Sequence, residues 1–84
     1  MTVIPLAAKE TPNSADSNIS EASLVYICNT TTTAGTVTLK TSGGVTIATI
    51  DVPASGSLTL KKKNAEKIRT SAATLTCTAI GYAN

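Results

Sequence analysis

Short runs in which an aliphatic residue alternates with threonine, closed about every ten residues by glycine, proline or asparagine, constrain this chain more than any other feature. Thr36-Val37-Thr38-Leu39-Lys40 alternates, with Val37 and Leu39 on one face. Ser57-Leu58-Thr59-Leu60-Lys61 repeats the pattern, and Thr74-Leu75-Thr76-Cys77-Thr78-Ala79-Ile80 extends it. Threonine contributes sixteen of the 84 residues, and its stiff χ1 suits a pleated, half-buried surface. No helical period of useful length competes with these runs. The chain is therefore expected to be all-β.

The remaining segments fit the same plan. Leu24-Val25-Tyr26-Ile27-Cys28 is continuously apolar, as in a strand covered on both faces. Ala34-Gly35 reads as a turn, and Thr41-Ser42-Gly43-Gly44 is a strong hairpin signal. In residues 45–52 the parity of Val45 and Ile47 differs from that of Ile50 and Val52, which places a bulge near Ala48-Thr49. Pro53-Ala54-Ser55-Gly56 is another turn, and Ile68-Arg69-Thr70 a short strand after a charged connection. Five to six short strands of this kind predict a small antiparallel β-sandwich or barrel over residues 23–84. Residues 1–22 differ in kind. An apolar patch, Val3-Ile4-Pro5-Leu6, precedes turn-forming residues 11–18, which predicts an extended N-terminal arm. Such a stretch is mobile unless it lies on its own domain or a neighbour, with Val3, Ile4 and Leu6 as its contacts.

Eighty-four residues make one domain near the lower size limit for folding alone. Seven Ile, six Leu and five Val, with no Phe or Trp, give it a thin core that neighbouring chains would help to bury. The net charge of +2 is too weak to imply nucleic acid or an anionic membrane. No apolar stretch is long enough to span a bilayer, and residues 1–10 lack the features of a secretory signal.

Catalytic chemistry finds little footing. Histidine is absent, which removes the usual general base and the commonest metal ligand. Glu10, Asp16, Glu21, Asp51 and Glu66 form no paired motif and read as solvated surface charges. Cys28 and Cys77 lack metal-ligand spacing; they read as two buried thiols, or as a disulfide if the first and last strands pair. No catalytic, cofactor-binding or metal site is expected. Lys61, Lys62 and Lys63, with Lys67 and Arg69, form the one charge cluster. It reads as a solvated loop, as a contact for an acidic partner protein, or as a site for nucleic-acid phosphates; no aromatic is interleaved for base stacking. The threonine rows are too irregular for ice binding, and Tyr26 and Tyr82 are too few for a carbohydrate platform.

Three segments carry a resemblance: Val25-Tyr26-Ile27-Cys28-Asn29-Thr30, Ile50-Asp51-Val52-Pro53-Ala54-Ser55-Gly56-Ser57 with the lysines after it, and Thr76-Cys77-Thr78-Ala79-Ile80-Gly81-Tyr82. With them, residues 24–84 resemble small β-rich virion proteins of tailed bacteriophages, especially those of marine cyanobacteria. Where such proteins carry Pro-Thr-Asp after the lysines, this chain has Asn64-Ala65-Glu66. The resemblance implies a many-copy structural part of the particle, assembled in the host cytoplasm with both cysteines reduced. The expected role is a capsid-associated decoration protein that cements the shell. Its partners would be the major capsid protein and copies of itself, met through Val3, Ile4, Leu6 and Lys61–Lys63. A neck, baseplate or fibre-joining component is the alternative within the virion, and a nucleic-acid module using residues 61–69 the alternative outside it.

Overall fold

A computed structural model describes residues 2–72 and 74–83. Within them the chain forms seven strands and no helix, so no helix is long and apolar enough to cross a membrane. The strands are β1 (Thr2–Pro5), β2 (Leu24–Asn29), β3 (Gly35–Lys40), β4 (Thr46–Val52), β5 (Ser57–Lys61), β6 (Lys67–Thr70) and β7 (Leu75–Ala83). They make two antiparallel sheets, ordered β1-β7-β2-β5 and β4-β3-β6. Five to six strands were expected, and β1 is the addition.

Period-two alternation builds the core. Val25 and Ile27 of β2, and Leu75, Cys77 and Ala79 of β7, point inward from the larger sheet. Val37, Val52 and Ile68 meet them from the smaller one, and all belong to one buried cluster. Leu39, Leu58 and Leu60 pack against its margin, as their alternation predicts. Strand β2 departs from expectation: its outer face is not covered, since Tyr26 is exposed and Cys28 half-buried. The register shift in the β3–β4 hairpin falls between Leu39 and Lys40, where Ala48 and Thr46 are successive partners. It therefore bulges Ile47, slightly before the expected place. The hairpin turn closes with Gly44 N–H donating to the Thr41 carbonyl, and Gly44 adopts the left-handed φ of 90° open to glycine.

Residues 2–22, expected as an extended arm lying on its own domain or on a neighbour, take the first course. They run back along their own chain. Beyond the β1–β7 pairing, Leu6 N–H donates to the Ala79 carbonyl, and Glu10 and Cys77 exchange two main-chain bonds of 2.7 and 2.8 Å. Pro12, itself buried, marks the crossing to the other sheet, where its carbonyl accepts from Thr70 N–H. Ser17 and Ile68 then exchange bonds of 3.1 and 2.7 Å. The segment thus straps the β7 and β6 edges together and ends by placing Ile19 wholly inside the core.

Candidate protein-interaction surface

The strap closes one flank of the molecule. The opposite flank, between edge strands β4 and β5, stays open. Every residue of β4 except Val52 is exposed, including Ile47 and Ile50. Ala48 and Ile50 share the inward parity of Val52, but they lie past the cover that β5 gives and are left uncovered. With Val37, Leu39, Thr49 and Leu60 they line an apolar groove of about 240 Å³. Val45, at the tip of the hairpin, is 67% exposed.

A second apolar surface lies on the outer face of the larger sheet. Val3, Pro5, Tyr26, Thr78 and Ile80 line a shallow groove of about 340 Å³. Antiparallel pairing accounts for this company: Pro5 sits opposite Ile80, and Tyr26 opposite Thr78. Of the three apolar contacts expected in the N-terminal segment, Val3 joins this groove. Ile4 and Leu6 take the other parity, toward the sheet's inner side, with Leu6 beside Gly81. All three are exposed, at 47%, 40% and 65%. The side chain of Tyr82 lies outside the described residues.

The lysine cluster does not form one surface. Lys61 and Lys63 are exposed, but Lys62 is buried at 5% exposure. Its backbone N–H continues the β2–β5 ladder to the Ser23 carbonyl, and its Nζ donates to the Lys63 and Asn64 carbonyls at 3.3 and 3.2 Å. Burial lowers the Lys62 pKa, and nearby Glu66 and Glu21 only partly oppose the shift. Lys62 therefore fastens the loop that follows β5, and Arg69 turns to Asp16 at 3.4 Å.

The carboxylates are likewise more engaged than solvated surface charges would be. Asp16 bridges Lys40 at 3.2 Å and Arg69 at 3.4 Å, tying the strap to β3 and β6. Glu10 accepts from the Ser17 hydroxyl at 2.5 Å, and Glu66 from Lys63 N–H at 2.8 Å. Among the described residues, no three His, Cys, Asp or Glu side chains gather where a metal could bind. Strands β2 and β7 do pair, but Ile27 faces Cys77 while Cys28 faces Thr76. The two thiols thus lie on opposite faces of one sheet, where a disulfide cannot join them, and both are free.

Two further residues hold these surfaces in place and were absent from the expected contacts. Asn29 is buried with its whole amide satisfied. Its Nδ2 donates to the Thr33 and Val52 carbonyls, and its Oδ1 accepts from the Thr31 N–H and hydroxyl. It locks the base of β4 to the loop after β2. The signal was present in parity, since Asn29 follows Val25 and Ile27 on the inward face. Ile19 is the other, a lone apolar residue in a polar run.

Comparison with protein-family models, with characterised proteins and with solved structures finds no match to this chain.

Proposed function

We propose that this protein is a structural subunit of a tailed-phage particle, a β-sandwich decoration protein that cements the shell by packing against the major capsid protein and copies of itself. One observation carries the reading. Strand β4, an edge of the smaller sheet, is uncovered along six of its seven residues, Ile47 and Ile50 among them. A long apolar edge strand is a standing template for another chain, and proteins that work alone blunt or cover such edges. The small core and the resemblance to virion proteins point the same way. The burial of Lys62 and the intramolecular pairing of Arg69 with Asp16 argue against residues 61–69 as a phosphate-binding patch.

Removing residues 1–10 is a poor test, because those described pair with β7 and cover Cys77. Point changes on the open flank separate folding from association. Ile47→Asp and Ile50→Asp are expected to leave the far-ultraviolet spectrum and unfolding midpoint nearly unchanged while abolishing co-sedimentation with particles. Undiminished co-sedimentation of both variants would sink the reading. Quantitative mass spectrometry of particles then counts copies: hundreds fit a shell protein, whereas a dozen or fewer would move the protein to the neck, baseplate or fibre.

A further inference from the structure

The strap ends in an unusual stretch of backbone. Ile19, Ser20 and Glu21 have φ angles of 52°, 55° and 57°, three successive left-handed residues with no glycine among them. Each such residue biases the chain against this turn by about tenfold, and a β-branched side chain is among the worst placed there. The turn persists because its surroundings hold it. Glu21 N–H donates to Asn18 Oδ1 at 3.3 Å, Ala22 N–H to the Ile19 carbonyl at 3.1 Å, and Asn64 Nδ2 to the Glu21 carbonyl at 2.8 Å. The Ile19 side chain is sunk in the core.

The strap ahead of this turn is held mainly by groups that do not care which chain supplies them. Its grip on β7 and β6 is a ladder of main-chain bonds at Leu6, Glu10, Pro12 and Ser17, plus the Asp16 pair with Lys40 and Arg69. Its largest apolar side chains before Ile19 remain exposed. An identical segment from another molecule would make every one of these contacts. The difference between the two arrangements lies in the hinge. Within one chain the hinge must fold into the left-handed turn, whereas between chains it can extend. Strained connections of this kind favour exchange.

We propose that residues 2–19 are an exchangeable strap, which leaves its own domain and closes the β7/β6 flank of a second copy while that copy's strap returns the exchange. Ser20 and Glu21 are the hinge, since Ala22 is buried in the core and the Ser23 carbonyl belongs to the β2–β5 ladder. Extended, the chain from Ile19 to Ala22 reaches at most about 11 Å, so the two domains sit against each other at the hinge. The inference names a second copy as partner and does not need the virion reading. It is tested on the isolated protein, whereas that reading is tested on particles.

The native Cys77 provides the readout. Glu10 lies opposite it in an antiparallel pair, at a Cα separation of about 5.5 Å, within disulfide range. In a Cys28→Ser background, Glu10→Cys is expected to cross-link within one chain in the closed form and between chains in the exchanged form. Oxidised, concentrated protein should therefore give covalent dimers on a non-reducing denaturing gel, and dilute protein covalent monomers. Dimers by light scattering that run as monomers on that gel would overturn exchange and leave only surface packing. A monomer at every concentration would overturn it as well.

Hinge variants give a second measure that does not need the cross-link. Ser20→Gly tolerates the left-handed turn. It should weaken dimerisation about a hundredfold, since each dimer holds two hinges and each loses about tenfold in driving force. Ser20→Pro forbids a positive φ and should strengthen dimerisation. Equal association constants for wild type, Ser20→Gly and Ser20→Pro would overturn the proposal whether or not Glu10→Cys folds.

Discussion

The two flanks of this molecule face the same physical problem and meet it differently. At each, a pair of sheet edges leaves main-chain groups unpaired and the inner apolar faces open to water. On the β1/β6 side the chain supplies its own cover: residues 2–22 bond to β7 and β6, bury Pro12 and seat Ile19 over the core. Proline blunts the new edge so formed. Because Leu6 directs its N–H to β7, the alternation turns the main-chain groups of Val3 and Pro5 outward, where Pro5 has no N–H to offer. On the β4/β5 side there is no strap and no proline within β4, and the sole charge on that strand is Asp51. One flank is finished within the chain. The other is left in the state a neighbour would complete.

That contrast predicts unequal costs for equal changes. Ile19→Ala removes a fully buried side chain from the closed flank and should cost about 2–5 kcal/mol. Ile50→Ala, on a side chain already 43% exposed, should cost less than about 1 kcal/mol in the isolated protein. Urea unfolding of both variants measures the difference, and equal losses would break the distinction between the flanks.

The next effect belongs to the closed flank alone. Burial, and secondarily the carboxylate of Glu10, pushes the Cys77 thiol from its ordinary 9.0 up to about 12. The folded chain thus holds a proton that the unfolded chain releases. This stability is complete below pH 9 and is lost as pH rises toward 12, by up to about 4 kcal/mol at 1.4 kcal/mol per pH unit. Wild type should therefore lose more stability across that window than Cys77→Val, which keeps the packing without the thiol. Parallel curves for the two would show that the strap does not seal β7.

Asn29 sets how firmly the open flank is held for a partner. Asn29→Ala deletes four hydrogen bonds and leaves the Val52 carbonyl without its amide partner, at a cost of about 2–3 kcal/mol. Amide exchange should quicken in β4 and residues 30–34 and remain slow at Ser17 and Ile68. Faster exchange at both places would mean that the flanks are not independent.

How much of this was legible depends on whether side chains or main chain do the work. Strands β3, β5 and β7 announce themselves because a half-buried strand writes its two faces into alternate residues, and Val37, Leu58 and Cys77 fall where alternation puts them. Strand β2 misleads because Tyr26 and Cys28 are apolar yet outward, on a face that the second sheet does not cover. The strap was illegible for a different reason. Its attachment is a ladder of N–H and C=O groups common to every residue, so Thr11-Pro12-Asn13-Ser14 carries no mark of the β6 edge beside it. A left-handed turn occupied by Ile19 defies the residue preferences from which turns are read. In the lysine cluster, composition suggested one surface, whereas strand alternation separates Lys62 from Lys61 and Lys63.

The smallest effect tests the strap's polar fastening. Partial burial works to raise the Asp16 pKa, but the hydrogen bonds and charges of Lys40, and then of Arg69, outweigh it and hold the carboxyl below its ordinary 3.8. A depressed folded pKa gives stability that is present above the ordinary value and lost as pH falls through the folded one. The Tm gap between wild type and Asp16→Asn should therefore be open at neutral pH and close as pH drops below 3.8. Added salt should narrow it at neutral pH, because the Arg69 side chain is 41% exposed. The location of the effect matters more than its size. Asp16→Asn loosens only the closed flank, so its Tm loss should add to that of Ile50→Ala but fail to add to that of Ile19→Ala, a residue on the same strap. Simple additivity with both would mean that the strap is not one unit, and the contrast between a flank closed in cis and a flank left open would have to be redrawn residue by residue.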